Sequence, residues 1–200
     1  MIEEIIKQIT PDIKALIFDL DGTLADTIPL HLQAWQEAGS QLGFHVTKEM
    51  ILDHSGTPTI KVAEILGKEY HWTIDPETIT EAKLANYKRI KIKHGKVQPI
   101  QPILKIAHQY RGKLPMGVGT GSTRSGALKS LEDIEAVDLF DIIVTASDVQ
   151  NPKPHPETFM RSAQYFGFQP EECMVLEDGA AGIKAAKEGG FKLIDIREYL

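Results

Sequence analysis

KALIFDLDGTL, residues 14–24, is the stretch of sequence that decides the fold. An apolar run suited to a β-strand ends there in two carboxylates, Asp19 and Asp21, and Gly22 follows directly. Because side chains two positions apart in a strand point to the same side, both carboxylates leave the strand end together. Two carboxylates this close repel each other, so the sequence predicts a compensating proton, cation or both. Gly22 lets the backbone turn sharply just after them.

Strand-like and helical segments alternate along the second half of the chain. The predicted strands cover residues 113–120, 140–144, 173–176 and 191–194, and the predicted helices cover residues 103–110, 125–131, 157–166 and 180–188. This alternation is typical of βαβ units, so we expect an α/β fold with a doubly wound parallel sheet. Residues 27–95 show helical patterns and no convincing strand, which predicts a block of helices inserted after the first strand.

The overall composition excludes several classes of protein. The chain has 200 residues, 42% hydrophobic and 25% charged, enough to bury one domain with a modest insert. Its net charge of −6 argues against a nucleic-acid binder. The single cysteine, Cys173, excludes an internal disulfide and fits a reducing compartment. Residues 1–10 suggest a short amphipathic helix ending near Pro11, and no apolar run approaches a membrane span. We therefore expect a cytoplasmic protein with no need to be more than a monomer.

Polar functional groups recur just after the predicted strands. They are Asp19 and Asp21, Thr120 and Ser122, Lys153, and the pair Glu177 and Asp178. Open α/β sheets bind ligands at the carboxyl ends of their strands, so these groups should converge. Two acid pairs, hydroxyls and a lysine suit a phosphate monoester with Mg²⁺, whose hard charge prefers oxygen ligands. Backbone N–H groups of Gly121 and Ser122, near a helix start, would add anion-binding donors.

Four motifs in this order resemble those of the haloacid dehalogenase-like hydrolase superfamily. They are Asp19-Leu20-Asp21-Gly22-Thr23, Thr120 after a strand, Lys153-Pro154-His155-Pro156, and Glu177-Asp178 with Gly182-Ile183 downstream. The chain is most similar to the β-phosphoglucomutase-like branch. Within that branch it resembles bacterial fructose-1-phosphate and 6-phosphogluconate phosphatases, through Gly56-Thr57-Pro58-Thr59, Gly119-Thr120-Gly121-Ser122 and a short tail. The resemblance implies a Rossmann-like core at residues 1–24 and 97–200, with a small all-α cap at residues 25–96.

The resemblance also implies a role for each motif. Asp19 would attack phosphorus and form an aspartyl phosphate, while Asp21 would act as general acid and then base. Thr120 and Lys153 would hold the phosphoryl oxygens. The metal ligands would be Asp19, the backbone carbonyl of Asp21, and Asp178, with Glu177 as a further ligand or a support.

Three residues of the predicted cap are expected to contact substrate. His31 shares a helical face with Trp35, and in the resembled branch a histidine at this offset lies over the active site. Lys83 lies on one helical face with Ile79, where a buried lysine without a partner would be costly. Thr57 lies in the cap turn. On pattern alone, His31 is more often a core histidine, and Lys83 is more often a lysine that extends along a solvated helix.

Other interpretations of the motifs remain open at this stage. An EF-hand fails because Leu30 replaces the required acid, and a dinucleotide loop fails because Ser122 replaces its third glycine. Thr120 and Ser122 could cap a helix, Lys153 could be an ordinary loop lysine, and Glu177 with Asp178 could favour a helix dipole.

Three departures from the branch bear on function. Gly179 replaces a serine, the cap turn lacks the arginine with which the mutase grips a second phosphate, and Thr23 replaces a valine of the mutase. The last two favour a phosphatase that acts on a small sugar phosphate or sugar-acid phosphate. The alternative is a hexose phosphomutase; a dehalogenase or phosphonatase would not use Asp21 as an acid. A non-catalytic receiver-like phospho-acceptor would also gather Asp, Thr and Lys at strand ends, but the helical insert and the late acid pair argue against it.

Overall fold

A five-stranded parallel sheet forms the centre of the computed structural model, which describes residues 2–199. Its strands are β1 (Ala15–Phe18), β2 (Met116–Gly119), β3 (Ile142–Val144), β4 (Cys173–Glu177) and β5 (Lys192–Asp195). They lie in the order β3-β2-β1-β4-β5, with every pair parallel. The predicted α/β doubly wound sheet is therefore confirmed. All residues of β1, β2 and β4 are buried, as strands covered on both faces require.

Nine helices accompany the sheet in the described part of the chain. They are α1 (Ile2–Gln8), α2 (Ile28–Leu42), α3 (Lys48–Leu52), α4 (Thr59–Glu69), α5 (Pro76–His94), α6 (Gln101–Tyr110), α7 (Arg124–Asp133), α8 (Glu157–Phe166) and α9 (Ala180–Glu188). Each helix predicted from the sequence is present, although Met1 of the predicted N-terminal helix lies outside the described residues. No helix among residues 2–199 has both the length and the apolar character needed to cross a membrane.

The strands are shorter than their sequence patterns. β2 begins at Met116 rather than at residue 113, because Pro115 has no N–H to donate to a neighbouring strand. β3 begins at Ile142, and the carboxylate of Asp141 just before it accepts a hydrogen bond from the backbone N–H of Met116. β2 ends at Gly119, so Thr120 lies just beyond its carboxyl end, where a ligand can be reached.

Alternate residues of β1 pack on opposite faces of the sheet. Leu16 and Phe18 face a cluster formed with α1, α6 and α7, whereas Ala15 and Ile17 face a cluster formed with α8 and α9. Cys173 is buried in the second cluster, as expected of a small core residue. The strands β2 and β3 lie on one side of β1, and the later strands β4 and β5 lie on the other. The strand order therefore reverses at β1, which lies at the switch point of the sheet.

The helical insert, residues 28–94, contains α2 to α5 and has an apolar cluster of its own. Its buried members are Trp35, Val46, Met50, Ile51, Val62, Ala63, Leu66 and Ile79. The two connections between insert and sheet run side by side: the N–H of Asp26 donates to the carbonyl of Gln98, and the N–H of Ile100 donates to that of Leu24, both at 2.9 Å. The insert therefore leaves and rejoins the rest of the chain at one place, next to the end of β1.

Candidate active site

A buried ion-paired triad lies at the carboxyl end of β1. Lys153 Nζ donates to Asp19 Oδ1 and to Glu177 Oε2, each at 2.7 Å, and all three side chains are essentially inaccessible to solvent. Because β1 and β4 are adjacent and parallel, their ends bring Asp19 and Glu177 to the same lysine. Burial opposes charge on Lys153, but the two carboxylates outweigh it and raise its pKa, so the lysine stays protonated.

Three carboxylates converge beside Lys153. Oxygens of Asp19, Glu177 and Asp178 lie within 4.8 Å of one another. Burial and the charge of Glu177 raise the pKa of Asp19 well above its usual range, and the same two causes raise that of Asp178 to about 7. The charge of Lys153 does not balance three carboxylates, so the cluster carries excess negative charge. In addition, Asp19 Oδ2 is buried without a hydrogen-bond partner. A divalent cation with oxygen ligands fits these residues.

The turn after β1 is built around the same cluster. Gly22 has φ +94°, and a Cβ atom there would lie 2.2 Å from Asp178 Oδ2. Thr23 Oγ1 donates to Asp178 Oδ1 at 2.7 Å. Glycine is therefore required both by the backbone conformation and by the approach of Asp178. No local sequence signal indicates this role of Thr23, because its partner Asp178 lies 155 positions away in the chain.

Asp21 lies outside the acidic cluster and is held by hydroxyl groups. Its Oδ1 accepts from Thr27 Oγ1 at 2.7 Å, and its Oδ2 accepts from Ser122 Oγ at 2.6 Å and Thr120 Oγ1 at 3.4 Å. Burial alone would raise the pKa of Asp21, but the His31 ring and the hydroxyls of Ser122 and Thr27 lower it. The carboxylate is thus oriented and ionised.

Two threonines that precede helices have different roles. Thr27 precedes α2, yet its hydroxyl makes no cap and binds Asp21 instead. The cap of α7 is Thr123, whose Oγ1 accepts from the N–H of Gly126, so the capping interpretation of Ser122 is wrong. Ser122 is consequently free to hold Asp21. Thr120 Oγ1 also accepts from the Ser122 N–H at 3.0 Å.

His31 and Lys83 extend from the helical insert toward Asp21. Lys83 is buried, and its Nζ lies 2.9 Å from His31 Nδ1 and donates to Thr59 Oγ1 at 3.2 Å. Burial lowers the pKa of Lys83 to about 8, and burial together with the Lys83 charge lowers that of His31. A neutral His31 that accepts at Nδ1 carries its proton on Nε2, which lies 3.4 Å from Asp21 Oδ1. Lys83 is therefore no solvated helix lysine.

A cavity of about 300 Å³ separates the helical insert from the end of the sheet. From the sheet side it is lined by Asp19, Asp21, Thr120, Gly121 and Ser122, and from the insert by His31, Thr57 and Lys83. Lys153, Glu177 and Asp178 lie behind Asp19 and do not line it. The sequence-predicted residues are thus brought together in two layers, one facing the cavity and one beneath it. Thr59 and Thr80, which line the cavity too, were not selected from the sequence.

The helical insert closes directly onto the loops that follow β2 and β4. The carbonyl of Ser55 accepts from the N–H of Ala181 at 3.4 Å. A Cβ atom on Gly121 would lie 2.3 Å from the Gly56 carbonyl oxygen, and one on Gly179 would lie 2.6 Å from that of Ser55. Only glycine fits at these two positions while the insert is closed. The departure at Gly179 therefore has a steric reason: the space of a serine side chain is taken by the insert.

Comparisons with known proteins agree with this geometry. A profile of the haloacid dehalogenase-like hydrolases matches residues 16–196. The chain is 34% identical to fructose-1-phosphate phosphatase YqaB of Escherichia coli, over 91% of this chain and 95% of that one. It is 26% identical to the β-phosphoglucomutase of Bacillus subtilis, over 92% and 83% of the two chains. The structure of β-phosphoglucomutase from Clostridium difficile matches with a TM-score of 0.75 and 26% identity, over 90% of this chain and 83% of that one.

Proposed function

This chain belongs to the β-phosphoglucomutase-like branch of the haloacid dehalogenase-like hydrolases and is a phosphoric monoester hydrolase; we propose that it dephosphorylates a small sugar phosphate or sugar-acid phosphate with the help of Mg²⁺. The observation that carries the proposal is that two carboxylates of one motif have different surroundings. Asp19 is ion-paired with Lys153 within the acidic cluster, whereas Asp21 is held by hydroxyls. Such different surroundings suit a nucleophile and an acid–base.

The proposed reaction has two steps. Asp19 Oδ2, which has no hydrogen-bond partner among the described residues, attacks phosphorus while Lys153 holds Oδ1. An aspartyl phosphate forms as the bond between phosphorus and the sugar oxygen breaks, and Asp21 donates a proton to that oxygen. Asp21 then takes a proton from water, which attacks phosphorus and frees both phosphate and Asp19. Because Asp21 is ionised in the free protein, it must take up a proton before the first step.

Mg²⁺ would be held by Asp19, Asp178 and the backbone carbonyl of Asp21. Bound there, the ion would neutralise charge shared between Asp19 and the phosphoryl oxygens. Glu177 already accepts from Lys153 and from the N–H groups of Asp178 and Gly179, which suits a residue that orients the others. Thr120, Gly121 and Ser122 are proposed to hold the phosphoryl group from the cavity side.

A screen of phosphorylated sugars and sugar acids tests this proposal. We expect multiple turnovers of phosphate release with Mg²⁺, and loss of release when EDTA removes the metal, because the acidic cluster then repels an anionic substrate. Added Mg²⁺ should restore activity. Turnover that is unaffected by EDTA would contradict the proposed metal, and a single labelling event without release would favour a receiver-like phospho-acceptor.

We further propose that residues 25–96 act as a cap that closes over a core of residues 1–24 and 97–200. The two connections paired at Asp26–Gln98 and Leu24–Ile100 provide one place about which the cap can move. In the closed position Lys83, His31 and Thr57 contact the substrate, and water is excluded from the cavity. We propose that the protein works in the cytoplasm, as a monomer, on a small-molecule substrate.

Gly121→Ala is expected to lower kcat/KM about 10²-fold, because the added methyl group meets the Gly56 carbonyl and holds the cap away from the reacting groups. Steady-state kinetics on the best substrate of the screen would measure this. Gly67→Ala is the matched control, since a Cβ there makes only an ordinary contact with Trp72 at 3.9 Å. Equal kcat/KM values for both variants would refute closure through this contact.

A hexose phosphomutase is the second candidate, favoured by the similarity to β-phosphoglucomutases. The cap turn of this chain carries Thr57 and Thr59, and no arginine lines the cavity among the described residues. A second phosphate thus has no matching guanidinium, which supports the phosphatase. Incubation with a glucose 1-phosphate isomer and trace bisphosphate separates the two candidates: a mutase interconverts isomers with little free phosphate, and a phosphatase releases it.

A further inference from the structure

We propose that Thr80 binds a hydroxyl group of the sugar leaving group and makes this site select polyol phosphates over other phosphate esters. The inference rests on the proposed phosphatase function and adds a specificity residue to it. Thr80 lies on α5 and lines the cavity, but no catalytic motif includes it.

The first argument is the hydrogen bonding of Thr80. Among the described residues, four buried side-chain polar atoms have no hydrogen-bond partner: Asp19 Oδ2, His31 Nε2, Thr80 Oγ1 and Ser162 Oγ. Three of the four belong to residues that line the cavity. Of these three atoms, His31 Nε2 faces Asp21 Oδ1 at 3.4 Å, which leaves Asp19 Oδ2 and Thr80 Oγ1 as the two for which a ligand would supply the partner. A buried hydroxyl without a partner costs free energy, so such a group in a ligand cavity indicates a partner supplied by the ligand. In this respect Thr80 resembles Asp19, whose free oxygen is the proposed nucleophile.

The second argument is the position of Thr80 relative to Lys83. The two residues are three apart on α5 and lie on the same face of the helix. Lys83 in turn donates to Thr59 Oγ1, which leaves the Thr59 proton available to a ligand. A cation is thus accompanied by two hydroxyls that can both donate and accept, and hydroxyls of a polyol need both functions.

The third argument is the character of the remaining cap wall. Trp35, Ile51, Val62 and Leu84 also line the cavity, and these side chains are apolar. The C–H faces of a sugar can pack on such a wall, while its hydroxyls need the few polar groups within it. Lys83 is the one lysine or arginine lining the cavity among the described residues. The leaving group that this wall fits is therefore a neutral polyol rather than a second phosphate.

Thr80→Val tests the inference, because valine keeps the shape and removes the hydroxyl. We would measure kcat/KM for two esters. The first is fructose 1-phosphate or whichever hexose phosphate is hydrolysed fastest, and the second is p-nitrophenyl phosphate, whose leaving group has no polyol hydroxyls. We expect Thr80→Val to lower kcat/KM for the hexose phosphate about threefold to tenfold, the range of one neutral hydrogen bond. The value for the aryl ester should stay within about twofold.

Ser162→Ala is the matched control, since Ser162 Oγ is also buried and unpartnered but lies on α8, away from the cavity. It should change neither ester. Thr80→Val should not lower the melting temperature, because Oγ1 makes no bond within the protein. An unchanged ratio of the two kcat/KM values, whether both values stay the same or both fall equally, would overturn the role of Thr80 while leaving the phosphatase intact. A wild-type protein that releases phosphate from neither ester would overturn the proposed function and this inference with it.

Discussion

Asp19→Asn should abolish phosphate release, with kcat lowered by a factor on the order of 10⁴ to 10⁶, as when a covalent nucleophile is removed. The amide cannot form an acyl phosphate, so no intermediate arises. The fold should persist, because Lys153 keeps Glu177 as its partner and the buried cluster loses one of its surplus negative charges. Phosphate release and labelling from a ³²P-substrate would measure the effect, with no labelled protein expected.

Asp26→Asn is the matched control for this substitution, because Asp26 is an exposed carboxylate in the same segment that forms no side-chain hydrogen bond among the described residues. It should keep normal turnover and labelling. An Asp19→Asn protein that turns over at a comparable rate would show that another group attacks phosphorus.

Asp21→Asn should reduce turnover of a sugar phosphate by about 10²- to 10⁴-fold, the usual contribution of a general acid–base. The substitution should leave the structure intact, since asparagine can still accept from Thr27 and Ser122. The two proposed steps predict a further difference. p-Nitrophenolate leaves without protonation, so the first step should survive with this ester while the attack of water slows.

Rapid mixing of Asp21→Asn with p-nitrophenyl phosphate should therefore give a burst of about one p-nitrophenolate per protein, followed by slow turnover and accumulation of phosphorylated Asp19. The Asp19→Asn protein should give no burst, and Asp26→Asn should behave as the wild type. Near-normal turnover of a sugar phosphate by Asp21→Asn would remove Asp21 from its assigned role. If both the burst and the later turnover were lost, Asp21 would be required in the first step even for a leaving group that needs no proton, which contradicts its role as general acid.

Much of the architecture could be predicted because the relevant signals are local. The apolar run before Asp19 and the helical spacing of Ile79 and Lys83 depend on residues close together in the chain. Where a strand begins later than its apolar pattern predicts, a further local signal explains the difference. Pro115, which cannot donate to a strand neighbour, delays the start of β2.

The roles of individual hydroxyls could not be predicted in the same way. Thr27 and Thr123 both precede helices, yet one binds Asp21 and the other caps α7. The difference arises because the turn after β1 brings Asp21 within 2.7 Å of Thr27, whereas Thr123 Oγ1 has no carboxylate as a hydrogen-bond partner among the described residues. The pattern before each helix is the same, so only the surroundings in space separate them.

By itself, the sequence determined that a parallel sheet forms and that Asp19, Thr120, Lys153 and Glu177 lie at or beyond the carboxyl ends of its strands, because hydrophobic periodicity and strand ends are local properties of the chain. The tertiary structure alone decided which of these groups are paired and which are left free. The burial of Lys83 against His31 and the lone hydroxyl of Thr80 depend on how the helical insert closes over the sheet. Packing between segments distant in sequence sets those contacts, and no spacing along the chain encodes them.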